Sequence, residues 1–404
     1  MEQRPMTATT PTPFTIAVPQ GKLDAILAKV RAYEWHDMPE IAPGGNRWAY
    51  GADMDYMKEL CAYWVEKFDW RAAEKKLNAF PQFHAELDGL KIHFIHVKGS
   101  GTKPENLILT HGWPGSVFEF YDVIDRLAHP EKFGGNVEDG VNVVIPSLPG
   151  YAFSGKPKTP LGPKATAALW DRLMREVLGY DTYIAQGGDW GSVVSGWLAY
   201  NHSPAKGGGC KAVHLNMWGV RPSVLPETEA EKQWAAGAAM VVELESAYLR
   251  LQMTKPQTLS YGMMDSPVGA AAWIIEKFHG WSDRRGADGH EHIENAFTKD
   301  QLLTNLMIYL VTDTFGTATW FYRGMMEEGG TNMAPDTKVE VPTGIANFPK
   351  EFLTFPPRSM VEKGYNIIRW SDFEKGGHFA ALETGEVFAN DVLAFVSQVK
   401  GGAA

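Results

Sequence analysis

The sequence predicts an α/β fold: a mainly parallel central sheet flanked by helices, with an inserted helical cap and an N-terminal extension of helices and a hairpin. Three observations carry this. Six short β-rich runs (NLILTH from 106, VNVVIPS from 141, DTYIAQ from 181, CKAVHLNM from 210, VEVPTGIA from 339, YNIIRWSD from 365) are mostly separated by helical patterns, as expected of parallel strands joined by crossover helices. Between about 218 and 335 the strand signal disappears, and helical segments such as 227 to 252 and 301 to 326 replace it. A glycine-rich turn, GGDWGS at 187 to 192, joins the third run to the helix-like VVSGWLAYN.

The remaining elements follow in chain order. Apolar spacing predicts helices over 20 to 33 (Leu23, Ile26, Leu27, Val30) and 53 to 70 (Met57, Leu60, Cys61, Trp64, Val65, Phe68). FHAEL and LKIHFIHV flank Asp88-Gly89, a dipeptide suited to a type I′ turn, so 83 to 97 reads as a hairpin opening the sheet. The organisation is then an N-terminal extension over 1–100, a first core part over 101–217, a cap over 218–335 and a second core part over 336–404. Eight of the sixteen methionines fall between Met240 and Met333, with Trp234, Trp273, Trp281 and Trp320 alongside. Most are expected to fill helix-helix contacts; the rest would line an adaptable apolar pocket between cap and core.

Composition excludes several functions. With 38 basic against 48 acidic residues, a net charge of -10, the surface is a poor match for phosphate backbones, so nucleic acid is not an expected partner. The start, MEQRPMTATTPTPF, has no apolar leader, and no run of about 18 apolar residues occurs, so a soluble, cytoplasmic chain without signal peptide or membrane anchor is expected. Cys61 and Cys210 lack metal-type spacing and read as buried free thiols. The GGAA end reads as a frayed tail.

Asp189 is the central residue of GGDWGS, flanked two positions away by Gly187 and Gly191. A sharp strand-to-helix turn of this kind displays its central side chain above the sheet. With an ordinary pKa of about 3.9 the carboxylate is ionised at neutral pH and needs no base to act as a nucleophile. It suits strained or activated sp3 carbon, an epoxide or an alkyl halide, and leaves an enzyme ester. Ser192 is excluded as the nucleophile because Trp190 and Val194 flank it. The ordinary role of such an aspartate is to cap the following helix.

HGWPGS at 111 to 116 follows NLILT and forms a second loop at a strand end. The amide after the nucleophile and one from this earlier loop would make an oxyanion hole, which nominates the N–H groups of Trp190 and Trp113. His111 is expected to organise its loop by hydrogen bonding. His378, in EKGGHFAALE beyond the last strand, is the best general base among twelve histidines, with an ordinary pKa near 6.5. Glu351 in FPKEF follows the preceding strand and would orient the ring; Asp372, at the end of the histidine's own strand, is its rival. His93 and His96 fall on opposite strand faces and cannot chelate together. His290, His292 and Glu294 lie in a polar loop expected to be solvated rather than metal-binding.

HGWPGS, SLPGYAFS from 147, GGDWGS, TKPQT with DSPVG, LLTN, FYRG, VPTG with FPKE, and GGHFAALE, in this order from about 14 to 398, resemble the microsomal epoxide hydrolase family of α/β-hydrolases. No membrane-spanning N-terminal anchor like that of the vertebrate members is read in the sequence, so similarity to the soluble microbial or fungal branch is expected. The resemblance implies an α/β-hydrolase fold, a triad of Asp189, His378 and Glu351, and two cap tyrosines, Tyr248 and Tyr322, that hydrogen-bond the epoxide oxygen. It implies hydrolysis of a hydrophobic epoxide to a vicinal diol through a hydroxyalkyl ester, with water as co-substrate and neither metal nor organic cofactor. A homodimer is compatible with the extended N-terminal segment. The alternatives are a haloalkane dehalogenase-like hydrolase, for which paired tyrosines are not needed, and a non-catalytic ligand-binding protein of the same fold.

Overall fold

A computed structural model describes residues 8–402. The expectations concerning the first seven residues, including part of the leader reading, and concerning Ala403 and Ala404 lie outside it.

Nine strands form a single sheet: β1 (Thr12–Phe14), β2 (Gln82–Leu87), β3 (Leu90–Val97), β4 (Asn106–Thr110), β5 (Asn142–Pro146), β6 (Tyr183–Gly187), β7 (Cys210–Leu215), β8 (Val339–Asn347) and β9 (Tyr365–Asp372), in the spatial order β1-β2-β3-β5-β4-β6-β7-β8-β9. The first four neighbours pair antiparallel, and from β5 onward every pairing is parallel. Each of the six β-rich runs is a strand of the parallel part. β4 and β5 are fully apolar on both faces near their centres, as parallel strands covered by helices must be. The hairpin forms as expected: Asp88 and Gly89 both take positive φ, 52° and 79°, between paired Leu87 and Leu90.

The helices are α1 (Gln20–Arg31), α2 (Met54–Glu66), α3 (Trp70–Leu77), α4 (Ile124–Ala128), α5 (Pro163–Arg172), α6 (Asp189–Asn201), α7 (Glu229–Glu245), α8 (Ala247–Thr254), α9 (Pro256–Asp265), α10 (Pro267–Trp281), α11 (Lys299–Thr312), α12 (Phe315–Glu327), α13 (Arg358–Glu362), α14 (Ala380–Glu383) and α15 (Gly385–Gly401). Several differ from the sequence reading. The apolar pattern over 53 to 70 spans two helices, because the Asp69 side chain accepts the Arg71 N–H and starts α3 afresh. The 227 to 252 pattern breaks at Ser246, and the 301 to 326 pattern breaks at Asp313, which adopts left-handed angles. β1 was not anticipated, and Gly401 closes α15 rather than belonging to a frayed tail.

Helices α7, α8, α10, α11 and α12 reach the loops after the strands, at the sheet end where an open α/β sheet presents its loops. Trp234 bonds the Thr354 carbonyl, Tyr248 stacks on Trp113, Trp281 meets His378, Asn305 bonds the Pro114 carbonyl and Tyr322 meets Trp190. The N-terminal segment ties to this helical region: Lys22 pairs with Asp313, Lys29 with Asp265, and Lys299 with Glu59. No helix among the described residues is long and apolar enough to cross a membrane.

Candidate active site

β6 ends at Gly187 and α6 begins at Asp189, leaving a single residue for the turn. Such a turn requires close backbone approach. A Cβ on Gly187 would lie 2.1 Å from the Gly191 carbonyl carbon, and one on Gly191 would lie 1.7 Å from the Thr110 carbonyl oxygen. Asp189 itself sits at φ 47°, a conformation that costs a residue with a side chain about 1–2 kcal/mol. Its carboxylate does not cap α6. Oδ1 accepts the Trp113 N–H at 2.8 Å from the loop after β4, and Oδ2 lies 3.3 Å from His378 Nε2. The helix-capping alternative therefore fails, and Ser192 is buried with its hydroxyl donating to the Asp189 carbonyl.

His378 is placed by the loop after β9, where its backbone N–H donates to the Trp281 carbonyl. Nδ1 donates to Glu351 Oε2 at 2.8 Å, while Glu351 Oε1 accepts the Leu353 N–H at 2.9 Å. Both residues are buried. Asp372 is instead exposed and accepts from Asn347 and Trp370. Burial pulls the His378 pKa down, but the Glu351 charge and the contacts with Asp189 outweigh it, so the imidazole is held well above its ordinary range. The expectation of an unperturbed histidine is thus corrected: the ring stands between two carboxylates that a linear reading does not bring together.

Tyr248 on α8 and Tyr322 on α12 face the nucleophile turn. Tyr248 stacks on Trp113 at 5.1 Å between centroids, and Tyr322 meets the Trp190 ring edge to face at 4.6 Å. Their own rings are 6.0 Å apart. Burial raises both phenol pKa values well above 10, and the negative charge of Asp189 adds to the shift, so both hold their protons. Trp190, second residue of α6, has a backbone N–H without an intrahelical acceptor by position. The structure thus brings Asp189, His378, Glu351, Tyr248, Tyr322, Trp113 and Trp190 into one neighbourhood.

His111 holds its loop as expected. Its Nδ1 donates to the Gly112 carbonyl, Nε2 accepts the Leu148 N–H, and burial lowers its pKa to about 4. His93 and His96 bond elsewhere, to Ser147 with Gln82 and to Tyr180. In the polar loop, His292 Nδ1 accepts the Glu294 N–H, and Glu294 pairs with Lys299.

Sequence reasoning missed Glu119. Its carboxyl is tucked against Gly115 and lines the space behind Asp189 and His378, and burial raises its pKa to about 8. A lone carboxylate within the run Val-Phe-Glu-Phe is the signal that would have found it. On the cap side, a crevice of about 350 Å3 runs from Asp189 past Val193, Met217, Leu249 and Met325, a chiefly apolar lining.

An elbow between strand and helix, an oxyanion-type loop after β4 and a histidine after the last strand define an α/β-hydrolase, here with a carboxylate at the elbow. The family described as Epoxide hydrolase N terminus matches residues 11–120, and the alpha/beta hydrolase fold family matches residues 105–240. A putative epoxide hydrolase of Stigmatella aurantiaca is 38% identical over 393 residues, covering 96% of this chain and 85% of the relative. Epoxide hydrolase 1 of Sus scrofa is 35% identical over 375 residues, 87% and 82% of the two chains. The structure of Aspergillus niger epoxide hydrolase superposes with a TM-score of 0.81 at 32% identity, over 97% of each chain. The chain belongs to the epoxide hydrolase family.

Proposed function

We propose that the chain hydrolyses hydrophobic epoxides to vicinal diols in two covalent steps. The observation that carries this reading is the convergence of a carboxylate, an imidazole and two proton-holding phenols on one apolar crevice. Asp189 Oδ2 attacks a ring carbon, the carbon–oxygen bond breaks, and the oxygen takes a proton from Tyr248 or Tyr322, leaving a hydroxyalkyl ester. His378 then removes a proton from water, whose oxygen attacks the ester carbonyl carbon. Oδ1, already held by the Trp113 N–H, becomes the oxyanion, with the Trp190 N–H as second donor. The phenolate left by the first step takes its proton back from His378 before water is activated. On collapse the departing diol oxygen takes the imidazolium proton, the Asp189 carboxyl passes its own proton to His378, and Glu351 supports the imidazolium. Helices α7 to α12 act as the cap that supplies the two phenols and the crevice wall.

The raised pKa of His378 gives the steps opposite sensitivities to pH. In the free enzyme the Glu351 and Asp189 charges favour the imidazolium, and esterification does not require the base form. Esterification removes the Asp189 charge, one of the causes that raise the pKa, so the ring deprotonates more readily when water must be activated. Stopped-flow measurement is expected to show ester decay slowing as pH falls while ester formation is retained. A common pH midpoint for both steps would contradict this order of events.

Purified protein given styrene oxide is expected to release phenylethane diol and to release no bromide from bromoalkanes. Bromide without diol would transfer the chain to the dehalogenase reading, in which indole N–H groups alone serve the leaving group.

Two further parts of the proposal concern context. The unpaired, buried Cys61 and Cys210 favour a reducing, cytoplasmic compartment. Met240 and Leu244 on α7, 65% and 68% exposed, favour a homodimer through that helix, which a monomer in equilibrium sedimentation would remove.

A further inference from the structure

The crevice that ends at Asp189 contains a cation that the two-step chemistry does not use. Arg221, in the segment after β7, lines the crevice together with Met217, Trp218, Leu249 and Met325. Its backbone is pinned on both sides: its N–H donates to the Thr331 carbonyl at 3.0 Å, and its carbonyl accepts the Met333 N–H at 2.8 Å. The guanidinium lies 5.4 Å from the centre of the Trp218 ring. Among the described residues its one acceptor is the Trp218 carbonyl, reached by Nε at the long distance of 3.5 Å. No carboxylate among the described residues pairs with it, whereas most other arginines here, Arg47, Arg172 and Arg369 among them, hold one. The nearby Tyr365 phenol donates to the Val220 carbonyl and supplies no counter-charge.

A half-buried guanidinium loses part of its hydration, and burial lowers its pKa. Evolution of a plain apolar crevice would have no use for that cost. The terminal N–H groups form a planar fork that matches a carboxylate in two parallel hydrogen bonds. We infer that this enzyme's preferred substrates are epoxides carrying a carboxylate, joined through a hydrocarbon spacer, with the spacer along Met217, Leu249 and Met325 and the carboxylate on Arg221. The inference rests on the reading of Asp189 as the nucleophile. A guanidinium that served only to cover Trp218 would impose no preference for charge.

The test compares a homologous series of terminal-epoxy alkanoic acids with their primary amides, equal in size and neutral. For the wild type, kcat/KM for the best acid is expected to exceed that for its amide by roughly ten- to hundredfold, the range of a hydrogen bond to a charged group. In Arg221→Met, which keeps the stem over Trp218, the ratio is expected to fall toward one, and Arg221→Lys to restore part of it. An unchanged ratio in Arg221→Met, or a wild type that favours the amide, overturns the inference. Calorimetric binding of an unreactive alkanoate against the alcohol of equal length to the wild type does not depend on the variants folding, and equal affinities would also overturn it. Hydrolysis of neither acid nor amide would sink the epoxide reading instead, and the calorimetry would still decide the role of Arg221.

Discussion

Asp189→Ala is expected to lose diol formation by about four orders of magnitude or more, the scale seen when a covalent nucleophile is removed. The loss should appear in kcat and kcat/KM together, since no ester forms. The fold should survive. The Asp189 side chain accepts the Trp113 N–H and meets His378 Nε2, and the hydrogen bond from Ser192 goes to its backbone carbonyl, which alanine retains. The cost to stability is that of alanine at φ 47°, about 1–2 kcal/mol, partly present already in the wild type. Removal of the carboxylate also takes away one cause of the raised His378 pKa, so the imidazole should titrate at lower pH in this variant, which nuclear magnetic resonance of the ring protons would read. Residual turnover near the wild-type level would transfer the nucleophile's role to water or to another group.

Removing both phenol hydroxyls, in Tyr248→Phe/Tyr322→Phe, is expected to be the next most damaging change. An oriented donor to developing negative charge is worth roughly 10^2 to 10^3 in rate. Each single variant leaves the other phenol, so the double variant should lose more than either, though less than the product of the two losses, because both act on one oxygen. The rings should stay in place: Tyr248 stacks on Trp113 and Tyr322 packs against Trp190, contacts that phenylalanine keeps. The Tyr322→Phe change removes only the interaction of its hydroxyl with Tyr248, so it should lower the melting temperature only slightly. The fall is expected in ester formation, with ester decay little affected. Equal slowing of both steps would argue for a general disturbance of the crevice.

The fold was legible because its signals are local. β4 to β6 are chiefly apolar runs, β7 to β9 are β-rich runs with polar interruptions, all of them bounded by turn residues, and Asp88-Gly89 specifies its own turn. Breaks inside helical patterns were not legible, since Ser246 and Asp313 interrupt the chain through capping and left-handed angles rather than through apolar spacing. β1 was hidden by its three-residue length and by Pro13. At the site, the elbow glycines and the last-loop histidine announce Asp189 and His378. The tyrosines do not: on composition and spacing alone each is an ordinary packing residue of its helix, and only the order of the neighbouring motifs singles them out. Two facts required three dimensions. One is the placing of His378 between two carboxylates, which raises its pKa; the other is the lack of a carboxylate beside Arg221 among the described residues, because pairing is a matter of distance and not of sequence.

The most direct measurement is the intact mass of His378→Gln after exposure to an epoxide, with proteolysis to locate any adduct. If Asp189 forms an ester that His378-activated water must resolve, the variant should gain the mass of one epoxide, held on the peptide that contains residue 189. A variant that stays unmodified while still forming diol at the wild-type rate, or an adduct on another residue, would contradict the account.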